Sequence, residues 1–213
     1  MRLIGRYASP YVRRVAVTLQ HYRMPYEHFS VMPFGADRAE VARHNPIARV
    51  PVLQLENGEI LCDSAAILDH LDQEAGPARA LVPASGKARR RVLALLAIAL
   101  GSNEKLVTAL YERHFRPREL WHQPWIEACE DQVRDGYLWL EEQFEGPWLT
   151  GTAMTQADLT VGVFWTFGMA KRPGIFAKLA CPNLRAVAEK LEATAAFKAA
   201  PVESEKLSSR LGN

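Results

Sequence analysis

Apolar positions in this chain follow two regimes. Up to about residue 71, short strand-like runs alternate with amphipathic stretches, whereas beyond residue 87 the spacing is helical almost throughout. Arg2-Leu3-Ile4-Gly5-Arg6-Tyr7 reads as a strand, and Val12, Val15, Ala16 and Leu19 then fall at i, i+3, i+4 and i+7, one face of a helix. Met24-Pro25 breaks that pattern, and Tyr26-Glu27-His28-Phe29-Ser30-Val31 alternates as a second strand. Strand–helix–strand implies a parallel pair with a right-handed crossover. Residues 36–44 are weakly helical and stop at Asn45-Pro46, because proline restricts the residue before it. Arg49-Val50-Pro51-Val52-Leu53-Gln54-Leu55 and Ile60-Leu61-Cys62 flank Asn57-Gly58, the pattern of a β-hairpin. Pro51 cannot donate to a strand ladder. Its place at the entrance of a strand predicts a cis Val50–Pro51 bond that turns the chain and exposes the Val50 backbone.

Asp63-Ser64 follows the hairpin and caps a helix whose apolar face includes Ile67, Leu68 and Leu71. The order βαβ–α–ββ–α describes a thioredoxin-like α/β domain over residues 1–76. Turn formers from Gly76-Pro77 to Gly86 make residues 77–86 a linker. Residues 87–213 then read as an all-α domain. Val92, Leu93, Leu96, Leu100, Val107, Leu110 and Tyr111 mark one long helix, and Ile126, Cys129, Val133, Tyr137, Leu140 and Phe144 a second; Pro117 and Gly146-Pro147 end them in turn. In Met154-Thr155-Gln156-Ala157-Asp158-Leu159, Thr155 and Asp158 have the spacing of a reciprocal capping box, which gives Asp158 a structural role.

Composition narrows the functional classes. With 213 residues, 48% of them hydrophobic, the chain has ample material for a core. A formal charge of +2 gives no concentrated basic face for nucleic acid. The one strong basic run, Lys87-Ala88-Arg89-Arg90-Arg91, is read as a solvated or subunit-facing helix start. The Met1 end has no apolar signal run and no stretch approaches about 18 consecutive apolar residues, so a cytoplasmic protein without a membrane partner is expected. Cys62, Cys129 and Cys181 lack metal or redox spacing, and none of the six histidines pairs with cysteine or carboxylate as a zinc site would require. Packing roles are expected for the cysteines, and no metal.

Candidate chemistry centres on Ser9. Serine followed by proline is a helix start, with Ser9 at the N-cap and Pro10 where a missing N–H costs nothing. Such a terminus offers unpaired N–H donors and partial positive charge to an anion, and Asp63-Ser64 makes a second one. Ser9-Pro10-Tyr11-Val12 stands where a glutaredoxin-like protein would have Cys-Pro-Tyr-Cys, so no protein dithiol is possible and any sulfur arrives with the ligand. Ser-Pro-x-x-x-Arg after the first strand, Asn-Pro-x-x-x-Val-Pro-Val-Leu around residue 50, and Asp-Ser-x-x-Ile before a helix occur in that order. Together they resemble the soluble glutathione transferases of the bacterial serine type, and the capping box at Thr155 extends the likeness over nearly the whole chain.

That resemblance implies glutathione as co-substrate, with no other cofactor. Ser9 would donate a hydrogen bond to the thiolate, the Val50 backbone beside Pro51 would pair with the cysteinyl main chain, and Asp63 with Ser64 would hold the γ-glutamyl end. Arg49 would meet the glycyl carboxylate. Tyr7 is a rival hydroxyl, since other branches of the family use a tyrosine at the end of the first strand. Tyr11, Phe34, Tyr111, Phe115 and Trp165 are candidates to line a second-substrate pocket for a small hydrophobic electrophile. A homodimer is also implied, although Leu100 stands before Gly101 where related sequences often carry an acidic residue that reaches the partner's glutathione. Two further readings share the same residues: a non-catalytic glutathione-binding or protein-interaction module, and a glutathione-dependent disulfide or peroxide reductase.

Overall fold

A computed structural model describes residues 1–202. The first strand, β1 (Arg2–Ile4), is shorter than the apolar run, because Gly5 at φ 124° turns the chain out of extended conformation. It leads into helix α1 (Pro10–Tyr22), then β2 (Glu27–Phe29), a 3-10 turn at Gly35–Asp37 and α2 (Arg38–His44). The hairpin β3 (Val52–Gln54) and β4 (Ile60–Cys62) precedes α3 (Ser64–Ala75). The sheet order is β2-β1-β3-β4; β1 is parallel to β2 and antiparallel to β3, and β3 is antiparallel to β4. This is the thioredoxin-like arrangement expected from the element order. Its core under one sheet face is formed by Ile4, Val31, Val41, Ala48 and Val52. The Val50–Pro51 bond is cis, as is Gly146–Pro147, which the sequence read only as a helix stop.

The remaining elements are α4 (Gly86–Phe115), a 3-10 turn at Arg118–Leu120, α5 (Gln123–Glu142), α6 (Gln156–Lys171), α7 (Pro173–Phe176), α8 (Pro182–Glu192) and α9 (Ala195–Ala199). By contacts, Leu81–Glu192 form one compact unit, and Met1–Ala80 form the other together with the described chain from Ala193. The division differs from the expected all-α block at 87–213. The cause is Arg13, whose Nε–H donates to the Ala200 carbonyl at 2.8 Å and whose guanidinium lies 5.2 Å from the Phe197 ring, so that α9 packs on α1. Residues 203–213 of the expected helical domain lie outside the described residues.

In the helical unit α4 is central, packed on α5 and α6. It is long and apolar enough by length and composition to cross a membrane, a property that a count of strictly consecutive apolar residues overlooks. Here Val92, Leu95, Leu96, Ala99, Leu106 and Ala109 are buried along it, as in a core helix. The basic run at its start is not wholly solvated. Arg91 donates to the Gln143 side chain at 2.7 Å and to the Gln143 carbonyl at 2.8 Å, tying α4 to the end of α5.

The capping box at α6 is formed. Asp158 is fully buried and accepts from the Thr155 N–H and the Leu149 N–H, both at 2.8 Å, and from the Thr155 hydroxyl at 3.0 Å. Burial pushes its carboxyl up, against the opposing pull of these hydrogen bonds. Asp158 therefore joins the loop before α6 to the helix itself. Asp158→Ala leaves two buried N–H groups without their acceptor and should destabilise the protein by about 2–4 kcal/mol, read as a lower urea midpoint.

Of the cysteines, Cys129 and Cys181 are buried and Cys62 is half-buried. Burial pushes the Cys181 thiol from 9.0 up to about 11. The native thiol keeps its proton where the unfolded one ionises, so this contribution to stability is complete below about pH 9 and is lost as pH rises towards about 11. The urea midpoint should fall over that interval, and should fall less in Cys181→Ala.

Candidate functional site

Gly5, the start of α1 and the loop before β3 meet at one point. A β-carbon on Gly5 would stand 2.7 Å from Val12 Cγ2 and 2.8 Å from Val50 Cβ, closer than packed carbons approach. With φ at 124°, the position also has a backbone that side-chain-bearing residues rarely adopt. Gly5 thus lets the end of β1, the first turn of α1 and the cis-proline loop close on one another. In the sequence Gly5 stands within a strand pattern, where a glycine marks close backbone approach.

Ser9 is the N-cap of α1, in extended conformation, with Pro10 at the first turn. Its Oγ accepts from the Val12 N–H at 3.4 Å, a long contact that uses an oxygen lone pair and leaves the hydroxyl hydrogen for donation elsewhere. The helix dipole adds positive potential at the same place.

The loop that carries Arg49, Val50 and Pro51 is shaped by Asn45. Its side-chain oxygen accepts from the Ile47 N–H at 3.2 Å and its amide donates to the Arg49 carbonyl at 2.9 Å. Asn45 is buried, and Ala48 is held at φ 49°. The sequence showed Asn45-Pro46 as a helix stop and did not reveal this second role, which depends on the loop folding back over the side chain. The Arg49 side chain is exposed, Val50 half-buried and Pro51 buried.

Asp63 is the N-cap of α3 and accepts from the Ala65 N–H at 2.7 Å. Its φ of 72° and ψ of 134° are strained for a residue with a side chain, a cost of order 1–3 kcal/mol that the surrounding fold must sustain. Ser64 beside it is buried. Arg14, the arginine of Ser-Pro-x-x-x-Arg, is 1% exposed on α1. Burial lowers its pKa to about 10, while the charges of Asp63 and Tyr11 act to hold it up. A buried cation so placed links the helix begun by Ser9 to the cap of α3. Its motif position was visible in the sequence, but its burial was not.

Tyr7, the rival hydroxyl, is occupied on the β2 side. Its oxygen is 2.8 Å from that of Tyr26, and its ring stacks on His28 at 3.9 Å, 1° from parallel. Among the aromatic candidates, Tyr11 and Phe34 are half-buried in the thioredoxin-like unit. Tyr111, 46% exposed, meets Phe115 edge to face at 5.0 Å on the last turns of α4. Trp165 is a core residue of the helical unit: 4% exposed, it packs edge-on against Tyr137 at 5.7 Å and Phe176 at 5.5 Å. Its helix, buried on every side through its first half, gives no one-sided apolar face from which to tell core from pocket.

Comparison with known proteins places this arrangement. Residues 3–79 match the family model of the glutathione S-transferase N-terminal domain. An uncharacterized GST-like protein of Escherichia coli, YibF, is 38% identical over 72 residues, 34% of this chain and 35% of that protein. Glutathione S-transferase U3 of Arabidopsis thaliana is 36% identical over 74 residues, 34% of this chain and 32% of that one. These matches thus span about a third of each relative's own length. Among solved structures, a glutathione S-transferase of Methylobacillus flagellatus with glutathione bound has a TM-score of 0.86 at 29% identity, covering 93% of this chain and 98% of that chain. One from Methylobacterium radiotolerans, in complex with glutathione sulfonate, has a TM-score of 0.90 over 99% of both chains; at 24% identity it speaks for the fold. The chain therefore has the glutathione S-transferase fold, and residues 3–79, its thioredoxin-like part, match the glutathione S-transferase N-terminal domain.

Proposed function

We propose that this protein is a glutathione transferase that activates the glutathione thiol with Ser9 for attack on a hydrophobic electrophile. The observation that carries the proposal is the junction of Ser9 at the α1 N-cap with the cis Val50–Pro51 loop across Gly5. It sets a hydroxyl donor and a helix terminus beside the entrance of β3. Glutathione bound in the Methylobacillus flagellatus structure supports the ligand. In this reading the Val50 backbone pairs with the cysteinyl main chain, Asp63 and Ser64 hold the γ-glutamyl end, and Arg49 meets the glycyl carboxylate. Within the thioredoxin-like unit, Tyr11 and Phe34 are the side chains offered to the electrophile.

The energetics require no metal or general base. A thiol of pKa ~8.5 is only ~3% ionised at pH 7, and lowering it to ~6.5 takes ~2.7 kcal/mol. A hydrogen bond to a charged group supplies about 1.5–3 kcal/mol and a helix terminus about 0.3–1 kcal/mol. Ser9 and α1 together reach that sum. The thiolate then forms the new carbon–sulfur bond as the electrophile releases its leaving group or takes up the electron pair.

We also propose a homodimer, as Leu93 and Ile98 on α4 and Leu138 on α5 are large apolar side chains exposed on the helical unit. Sedimentation should give twice the 23.9 kDa chain mass, and Leu93→Lys with Ile98→Lys should shift it towards the monomer.

The activation scheme is tested by following thiolate absorbance of bound glutathione against pH. The wild type should show a depressed thiol pKa, and Ser9→Ala should raise it by one to two units with a loss of about 5–50-fold in kcat/KM at pH 6.5. Tyr7→Phe should leave the thiol pKa in place. Failure to bind millimolar glutathione would reject the transferase reading, and turnover of a model disulfide in excess of aryl halides would replace it with a reductase.

A further inference from the structure

Two consecutive arginines on α1, Arg13 and Arg14, are almost wholly buried, at 2% and 1% exposure. Arg14 lies on the side of Asp63. Arg13 turns to the C-terminal segment: its Nε–H donates to the Ala200 carbonyl at 2.8 Å across 187 residues of sequence, and its guanidinium sits over Phe197. Desolvating a guanidinium is costly, and an apolar side chain of similar volume would fill this space at lower cost. What the guanidinium adds is direction. It has a planar donor edge for one carbonyl and a face for one ring, both of which must be in place together.

Arg13 is also part of the Ser9 turn. Its backbone N–H closes the first turn of α1 on the Ser9 carbonyl at 2.9 Å. The local cap is weak, since Ser9 Oγ accepts from the Val12 N–H only at 3.4 Å, and the Ser9 hydroxyl therefore takes its direction from how the turn as a whole is held. One residue thus bonds to the Ser9 turn through its main chain and to the C-terminal segment through its side chain. We infer that Arg13 is a positioning residue, which uses Phe197 and the Ala200 carbonyl to fix the first turn of α1 and thereby aims the Ser9 hydroxyl at the sulfur.

The inference rests on the proposed Ser9–thiolate contact, and the test separates the two. Arg13→Met removes the bond to the Ala200 carbonyl and the guanidinium over the ring; Phe197→Leu keeps the apolar filling and removes the ring, so it carries the test if Arg13→Met does not fold. Each is compared with wild type and Ser9→Ala for thermal midpoint, KM for glutathione, the pKa of the bound thiol and the pH profile of kcat/KM. Both variants should raise the bound thiol pKa by half a unit to one unit, lowering kcat/KM at pH 6.5 by about 2–5-fold and much less above pH 8.5, with KM for glutathione within about two-fold. Arg13→Lys, whose ammonium can still donate to the Ala200 carbonyl, should recover at least half of the loss. Variants that lower the thermal midpoint but keep the wild-type thiol pKa and pH profile would make Arg13 a structural anchor only and overturn the inference while the Ser9 scheme stands. A wild type whose thiol titration does not respond to Ser9→Ala would overturn the scheme and the inference with it.

Discussion

The close approach at Gly5 is the constraint from which the candidate site follows. With its β-carbon position within 3 Å of both Val12 and Val50, any other residue would push the end of β1 away from the first turn of α1 or from the cis-proline loop. The capped helix start and the loop entrance would then part. A helix N-terminus alone attracts any small anion. Here that helix start is held beside the loop before β3, while Asp63 caps the start of α3 in a strained conformation.

Helix α1 carries a concentration of positive charge that a surface helix would not need. Its dipole points its positive end at Ser9, and Arg13 and Arg14 add two buried guanidinium groups within the next turn and a half. Low local polarity strengthens both effects relative to water. The same side chains tie α1 to other parts of its unit: Arg14 to the electrostatic field of Asp63, and Arg13 to the chain around Ala200. Charge and rigidity come from the same residues.

The two hydroxyls near the end of β1 have different neighbours. Tyr7 is bonded to Tyr26 and stacked on His28, whose Nε2 lies 2.7 Å from the Gly5 carbonyl, so this cluster binds the end of β1 to the β2 edge. Ser9, two residues on, is past the turn and belongs to the helix. A difference of two positions thus divides a hydroxyl bonded to the β2 side from one at a helix N-cap. In the helical unit buried polarity has a different purpose: Asp158 satisfies main-chain donors on both sides of a loop, and Glu130 accepts from Arg113 at 2.7 Å and meets Arg172 at 2.5 Å, all within the packed helices.

Whatever is local in sequence was legible without coordinates. Period-two and period-3.6 spacing located the four strands and the main helices, Ser9-Pro10 and Asp63-Ser64 announced their caps, Thr155 and Asp158 their box, and a proline at a strand entrance its cis bond, because each is decided by sterics and hydrogen bonds within a few residues. Only the tertiary structure decided which chain segments meet. It placed the last described helix with the first rather than with the helical unit, since Arg13 and Ala200 are distant in sequence. It buried Arg14, turned Asn45 from a helix stop into the support of a loop, made Gly5 a point of contact and enclosed Trp165 in a core. Burial and long-range pairing depend on where the rest of the chain returns, and no local pattern of residues encodes that return.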